Sequence, residues 1–160
     1  MKRKPPPDLD AYLASVRARC FICELVAGTP AHPHHVVYED ERAIAFLNRF
    51  PTVAGSTLVA PREHREQVTG DFDETEYLAL QRVVHRVAEA VRRATAAERV
   101  YLLSLGSQQA NRHVHWHVVP CPPGLPFERQ QLALLDWEHG LVDLSDEETA
   151  ALAAQIRVEV

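Results

Sequence analysis

The chain carries at residues 112–120 the segment Arg112-His113-Val114-His115-Trp116-His117-Val118-Val119-Pro120. Successive side chains of a β-strand point to opposite faces, so the three histidines share one face, and the alternating valines and tryptophan share the other. Neighbouring histidines then lie roughly 7 Å apart, from a rise of about 3.3 Å per residue. Pro120 cannot donate to a ladder and is expected to end the strand. The segment predicts a half-buried strand with one packed face and one reactive face.

Three histidines in phase suggest site chemistry more than a polar strand face open to water. Imidazole serves either as a metal ligand or as a nucleophile and acid–base group. A metallohydrolase in which His113, His115 and His117 all bind one catalytic ion is one alternative. Adjacent pleats make it hard for the three rings to converge on a single ion, and no supporting carboxylate stands at the usual spacing. Both chemistries remain open from these residues alone.

Length and charge limit the classes of partner. A chain of 160 residues supports one domain with one sizeable core. The formal net charge of −5 argues against binding a nucleic acid polymer, and no apolar run is long enough to span a membrane. Residues 5–7 are prolines where a signal peptide needs an apolar segment, so a cytoplasmic location is expected.

Local patterns predict an α+β arrangement behind a flexible, proline-stiffened tail at residues 1–8. Helices are expected from Leu9 behind an Asp8 cap, over 73–96 behind the Asp73/Glu76 capping pair, and at the C-terminus behind the Ser145/Glu148 box, with a weaker helical signal over Phe127–Leu135. Strands are expected at Val36–Tyr38, Arg42–Leu47, Ser56–Ala60 and Arg99–Leu105. Because the connections of the first three strands are short, we expect an antiparallel meander. The loop histidines at 32, 34 and 35 show no periodicity and receive only a weak prediction of ligand contact.

The segment His113–Val119 resembles the signature of the histidine triad (HIT) family, in which three histidines alternate with apolar residues. The resemblance extends to Ala45–Pro51, Gly55, Leu58–Pro61 and His64, and it covers roughly residues 20–120. It implies an α+β fold with a five-stranded antiparallel sheet, one long helix and several short helices. A single domain over residues 9–160 is expected, with its core at 20–120 and a C-terminal helical extension at 121–160. The resemblance also implies a homodimer that acts on nucleotides without an organic cofactor.

The form Asn48-Arg49-x-Pro51 is more similar to the fragile-histidine-triad and diadenosine-polyphosphate branches than to the phosphoramidase branch. This resemblance implies a nucleotidyl hydrolase or transferase that cleaves a dinucleoside polyphosphate. A phosphoramidase, a diadenosine-polyphosphate phosphorylase and a slow nucleotide-binding module are the alternatives.

The resemblance also assigns roles to individual residues. His115 is expected to be the nucleophile that forms a nucleotidyl-imidazole intermediate, and His117 a donor to the phosphoryl oxygens. The expected nucleotide-binding residues are Asn48 at the ribose, Ile44 and Phe46 in the wall of the base pocket, and Ser104, Ser107, Gln108 and Gln109 near the phosphates.

Cys20-x-x-Cys23 is half of a zinc site, and an odd number of cysteines, three, argues against a disulfide framework. A structural zinc site needs four nitrogen or sulfur ligands. The family resemblance supplies the other two as His64 and His113. Two free buried thiols are the alternative.

Overall fold

The computed structural model describes residues 2–160 and contains a five-stranded antiparallel sheet, one long helix and several short ones. The strands are β1 (Arg3–Lys4), β2 (Val36–Glu39), β3 (Ala43–Leu47), β4 (Thr57–Pro61), β5 (Arg99–Ser104), β6 (Trp116–Cys121) and β7 (Leu141–Val142). The α-helices are α1 (Leu9–Ala18), α2 (Phe21–Val26), α3 (Glu74–Ala94) and α4 (Asp146–Glu159). Short 3₁₀ turns at Phe127–Arg129, Gln131–Leu135 and Trp137–His139 lie between β6 and β7. The predicted α+β class is confirmed.

The strand order in the main sheet is β2-β3-β4-β6-β5. All its pairs are antiparallel, and β2, β3 and β4 form the expected meander, but the meander does not continue because β6, and not β5, pairs with β4. The helix α3 carries the chain across one face of the sheet to its far edge, where β5 forms. The histidine-bearing strand β6 then pairs with both β4 and β5, so it lies inside the sheet. This position leaves β6 without a free edge.

The long helix α3 supplies the main core. It begins at the Asp73 cap, where the predicted capping box with Glu76 is present. Its apolar face, spaced at helical intervals, packs with α4 against one face of the sheet. The side chains that α3 buries are Leu80, Val83, Val84, Val87, Ala88, Ala90 and Val91. Every residue of β3 and β4 is buried, because the opposite face of these strands is covered as well.

The opposite face of the sheet carries the site. Ile44, Phe46, Leu58 and Ala60 pack there against Ile22 of α2. Phe46 pairs with Leu58, and Leu58 pairs with His117. These three residues therefore form a row across the sheet, with His117 about 10 Å from Phe46 at 4.8 Å per strand.

The boundaries of β6 differ from the prediction at both ends. The strand begins at Trp116, because the Val114 amide donates to the Arg65 carbonyl (2.7 Å) in a neighbouring loop and not to β4. Pro120 lies inside the strand and does not end it. The Cys121 carbonyl accepts from Glu98 on the β5 side, so the backbone of Pro120 faces the side where pairing with β4 has ended. Its missing amide therefore removes no ladder bond.

The N-terminal segment, expected to be a flexible tail, is held to the domain in the described residues. β1 pairs antiparallel with β7, and the Arg3 guanidinium donates to the Gly140 carbonyl (2.7 Å) and the Thr52 carbonyl (3.2 Å). Met1 of the predicted tail lies outside the described residues. The predicted helix from Leu9 and the C-terminal helix behind Ser145 are both present with their caps. None of the helices within residues 2–160 combines the length and apolar composition needed to cross a membrane.

Candidate active site and metal centre

A cleft of about 720 Å³ opens over the site face of the sheet. His115 and His117 lie in its floor beside Phe46 and Asn48. The volume falls within the 300–1,000 Å³ range of small-molecule sites, and most of the lining is apolar with a few polar groups. The cleft therefore has the size and lining of a site for a ligand larger than a single ring.

The ring of His115 is fixed in one tautomer. Its Nδ1 lies 2.7 Å from the His113 carbonyl oxygen, and because a carbonyl only accepts, Nδ1 carries the proton. The Ser104 hydroxyl donates to the His115 carbonyl (3.0 Å) and fixes the backbone. Nε2 of His115 is thus left with a free lone pair. This is the tautomer that a nucleophilic imidazole requires.

Both floor histidines are neutral near pH 7. Burial lowers the pKa of His115, and burial followed by the proximity of His115 lowers the pKa of His117 to about 4. Their ring centroids are 5.0 Å apart. A ligand atom above the floor can therefore meet an unprotonated nitrogen of one ring and the N–H of the other.

Only some of the residues that were predicted to contact the nucleotide line the cleft. Phe46 and Asn48 line the cleft, and the Asn48 Oδ1 accepts from the Phe50 amide (3.0 Å), which leaves its Nδ2 for a ligand. Ile44 is 2% exposed and packs behind the wall, outside the lining. Ser104 also lies outside the lining, and its hydroxyl positions His115. Asn48 and Phe46 therefore lie in the cleft, whereas Ile44 and Ser104 lie behind its lining.

The three loop residues expected at the phosphates do not line the cleft. The Ser107 hydroxyl donates to the Gln109 side chain (3.1 Å), and the Gln108 amide donates to Glu66 (3.3 Å). The loop turns back on itself through a bond from the Ser107 amide to the Asn111 carbonyl (3.1 Å), and in this conformation none of the three side chains lines the cleft. In their place the loop presents Ala110 and Asn111 to the cleft.

Asn111 was missed by the sequence reasoning. It is 6% exposed and lines the cleft, and its Nδ2 has no hydrogen-bond partner within the described residues. A buried unpaired amide costs about 1–3 kcal/mol, so its retention points to a ligand acceptor. Its place just before the histidine segment was the only available signal.

Aromatic side chains from outside the sheet complete the walls. Phe21 and His34 lie beside Phe46, with the His34 ring 5.9 Å from Phe21 and 5.3 Å from Phe46. His34 and His32, weak predictions from the sequence, both line the cleft, whereas His35 lines a smaller neighbouring cavity. On another side the cleft is lined by Tyr12, Phe50 and Trp137. Neither Tyr12 nor Trp137 was expected at the site.

The four predicted metal ligands come together at the start of the histidine segment. Their ligand atoms all lie within 4.8 Å of one another. His113 Nδ1 is 3.4 Å from Cys20 Sγ and 3.5 Å from Cys23 Sγ, and His64 Nδ1 is 3.2 Å from Cys23 Sγ. Zinc bond lengths at tetrahedral angles put nitrogen and sulfur about 3.6 Å apart. The donor set and its spacing therefore fit a four-coordinate zinc ion.

Hydrogen bonds behind the ligands set the tautomers that zinc requires. His113 Nε2 donates to the Pro61 carbonyl (2.9 Å), and His64 Nε2 donates to Glu66 Oε1 (3.1 Å), so each Nδ1 faces the cysteines unprotonated. Burial lowers the pKa of His113 to about 4, which keeps its ring neutral. Burial, and after it the neighbouring Cys20, raises the pKa of Cys23 to about 11. Two adjacent thiolates need a cation between them, and a divalent ion supplies it.

The three histidines do not converge on one ion. The Nδ1 of His113 faces the cysteines, whereas the Nδ1 of His115 is bonded to backbone. His113 thus belongs to the cysteine cluster, and His115 and His117 belong to the cleft. This geometry does not support the alternative of a catalytic ion held by all three rings.

Comparisons with known proteins agree with this arrangement. The HIT domain family model matches residues 29–123. An uncharacterised HIT-like protein of Saccharolobus solfataricus is 33% identical over 104 residues, 63% of this chain and 73% of that protein. The Bacillus subtilis protein named Protein hit is 33% identical over 106 residues, 63% of this chain and 70% of its own length.

Two solved structures share the fold. A hypothetical histidine triad nucleotide-binding protein of Sulfolobus tokodaii has a TM-score of 0.70 at 26% identity, over 88% of this chain and 91% of that one. A zinc-bound histidine triad family protein of Mycobacterium smegmatis has a TM-score of 0.67 at 24% identity, over 89% and 94%, and at this identity it supports the fold alone. The family match covers the sheet, α3 and the histidine segment together. The chain therefore belongs to the HIT domain family.

Proposed function

We propose that this protein is a nucleotidyl hydrolase or transferase that cleaves a phosphoanhydride of a dinucleoside-polyphosphate-like substrate through a covalent intermediate on His115. The observation that carries the proposal is the His115 tautomer, with Nδ1 bonded to backbone and Nε2 unprotonated in the floor of a nucleotide-sized cleft. A neutral imidazole held in this way is a ready nucleophile at pH 7.

The proposed reaction has two displacements at one phosphorus. The Nε2 lone pair of His115 forms an N–P bond to the α-phosphorus, and the bond to the bridging oxygen breaks with its electron pair on that oxygen. Water then attacks the same phosphorus, the N–P bond breaks with its pair returning to Nε2, and the proton of water is released. The sum is a nucleoside monophosphate and the remaining nucleoside polyphosphate. The N–H of His117 and the free amide of Asn111 are the proposed donors to the phosphoryl oxygens.

The substrate branch is proposed from the sequence form Asn48-Arg49-x-Pro51, which resembles diadenosine-polyphosphate enzymes. In the cleft, the free Nδ2 of Asn48 is available to a ribose hydroxyl, and Phe46 with His34 offers a wall for a base. Phosphoramidase and phosphorylase activities use the same nucleophile and differ in the leaving group or the acceptor. We propose a small-molecule nucleotide as the ligand, with no nucleic acid polymer, membrane or organic cofactor involved.

We further propose that Cys20, Cys23, His64 and His113 hold a structural zinc ion. The ion would join α2 to the start of the histidine segment, and its closed ligand set gives it no open position for chemistry. Its role in the reaction is indirect, because the His113 carbonyl that it immobilises is the acceptor for His115 Nδ1.

A substrate panel tests the proposed function. Diadenosine tri- and tetraphosphate, each with and without inorganic phosphate, and adenosine phosphoramidate would be incubated with the protein and the products separated. We expect turnover of the dinucleotides to a nucleoside monophosphate and a nucleoside polyphosphate without added phosphate. Strict dependence on phosphate favours the phosphorylase, and preference for the phosphoramidate favours that branch. Binding without turnover of any compound supports the slow nucleotide-binding module and contradicts our proposal.

Replacing His117 with alanine is expected to lower kcat by about 10²–10³, the scale of one transition-state donor. The His117 ring lies in the floor beside His115, and His117 is not among the four clustered ligands Cys20, Cys23, His64 and His113. Steady-state kinetics on diadenosine tetraphosphate measures the loss. A zinc content equal to that of the unchanged protein is part of the expectation, and simultaneous loss of zinc contradicts the separate roles given to His113 and His117.

We expect the protein to be a homodimer. β5 pairs only with β6 among the described strands, so one edge of the sheet is open, and Leu102 and Leu105 beside it are each 48% exposed. Multi-angle light scattering at micromolar concentration is expected to give about twice the 18.0 kDa chain mass. A mass equal to one chain contradicts the expectation.

A further inference from the structure

Tyr12, Phe50 and Trp137 form an aromatic cluster in the wall of the cleft. The Tyr12 ring is 5.6 Å from Phe50 and 5.4 Å from Trp137, both edge to face, and Phe50 is 5.9 Å from Trp137. The three residues come from α1, the loop after β3 and a 3₁₀ turn, and each is only half-buried. Because edge-to-face packing leaves ring faces uncovered, the cluster can stack another planar ring.

The cluster is distinct from the aromatic wall formed by Phe21, His34 and Phe46. That wall stands on the β2 side of the sheet, with Phe46 two strands from His117. A nucleoside has one base, and one such wall is enough to hold it. Both walls and the catalytic histidines nevertheless line one and the same cleft of about 720 Å³. The second wall therefore has the position of a site for a second ring.

The turn that carries Trp137 packs near the part of β6 that lies beyond His117 as seen from His115. The residues before Trp137, Leu134 and Leu135, pack beside Val119, which follows His117 by two positions along β6. In an in-line displacement the entering nitrogen and the leaving oxygen lie on opposite sides of the phosphorus. A phosphorus bound over His117, between His115 Nε2 and the cluster, would have its leaving oxygen directed toward the cluster.

The positively charged side chain of Arg49 lies beside this path. The Arg49 guanidinium carbon lies 5.0 Å from the Phe50 ring centroid, and Arg49 lines the cleft without an ion pair to any described residue. An unpaired guanidinium binds phosphate oxygens bidentately. A polyphosphate that extends from His115 to the cluster would pass this group.

We propose that the cluster of Tyr12, Phe50 and Trp137 is the subsite for the second nucleoside, the one that leaves with the polyphosphate, and that Arg49 binds the polyphosphate next to it. The inference rests on the proposed function, because it names the leaving half of the same substrate. Two cluster residues, Tyr12 and Trp137, lie outside the matched family region at 29–123. The subsite is therefore built in part by this chain's own N- and C-terminal segments.

The test compares two substrates that differ only in the second nucleoside, diadenosine tetraphosphate and adenosine 5′-tetraphosphate. Trp137→Ala is expected to lower kcat/KM about 5- to 150-fold for the dinucleotide, the range for loss of one base–aromatic stack, and less than twofold for the mononucleotide. Phe127→Ala is the matched control, since Phe127 is 74% exposed in a neighbouring 3₁₀ turn and does not line the cleft. Trp137→Phe is expected to restore most of the loss. An equal effect of Trp137→Ala on both substrates, or none on either, overturns the inference.

A binding experiment decides the inference without turnover. The chain has two tryptophans, and the other, Trp116, is buried in the core, so fluorescence changes on ligand binding report Trp137. In the His115→Asn protein, diadenosine tetraphosphate is expected to quench this fluorescence, and saturating adenosine monophosphate is not. Equal quenching by both ligands places the first base on the cluster and overturns the inference. Failure of the substrate panel with selective quenching by the dinucleotide refutes the proposed reaction and leaves the subsite standing.

Discussion

The His115→Asn protein is expected to turn over nucleotides several orders of magnitude more slowly than the unchanged protein, because the substitution removes the covalent route itself. An asparagine amide can still donate to the His113 carbonyl, as the His115 Nδ1 does now. Core-facing Val114 and Trp116 are untouched, so the fold should persist. Single-turnover kinetics on diadenosine tetraphosphate measures the chemical step.

The control for this substitution is His85→Asn. His85 lies exposed on α3, away from the cleft, and its replacement should change turnover less than twofold. Thermal unfolding and nucleotide binding of the His115 variant should match the unchanged protein. Near-normal turnover of the His115 variant on every nucleotide of the panel contradicts the mechanism.

The second large effect is expected at the metal cluster. Cys20→Ser removes one of four ligands and should reduce the zinc content from about one ion per chain to near zero. Because binding free energy at a structural zinc site is folding free energy, the melting temperature should fall by about 10 °C or more. Residual turnover should remain, since the ion does not enter the reaction. Elemental analysis and calorimetry give the two readouts.

Cys121→Ser is the matched control for the thiol. Cys121 is buried in a separate apolar cluster with Val53 and Val119 and is not one of the four clustered ligands, so its replacement should leave the zinc content unchanged. A preparation never exposed to chelator that contains no zinc would contradict the proposed centre. So would a Cys20 variant with full zinc content.

The parts of the fold that local patterns determine were predictable. The helix α3 follows from apolar side chains at helical spacing behind the Asp73/Glu76 box, all within one stretch of chain. The strand order was not, since nothing local shows that β6 enters between β4 and β5. Short connections favour antiparallel neighbours, and that preference correctly predicted the run β2-β3-β4 but not the position of β6 beside β4.

The four metal ligands also divide into a pair that the local sequence predicts and a pair that it does not. The spacing Cys20-x-x-Cys23 is a local signal, whereas the histidines facing Cys23 stand 41 and 90 residues away along the chain. They could be named only from the family resemblance. For Ser107, Gln108 and Gln109 the position in the sequence was informative, because their loop directly precedes the histidine segment. The loop is closed by a turn at Asn111, the Ser107 and Gln109 side chains bond to each other, and none of the three side chains lines the cleft. Side-chain direction in an irregular loop has no periodic signal in the sequence.

The most direct test of the covalent mechanism is mass spectrometry of the reaction quenched in alkaline denaturant, where a phosphoramidate survives. With diadenosine tetraphosphate, the unchanged protein should carry an added adenosine monophosphate on the peptide containing His115, and the His115→Asn protein should carry none. An adduct on another residue, or rapid turnover without any adduct, would contradict the nucleotidyl-His115 intermediate.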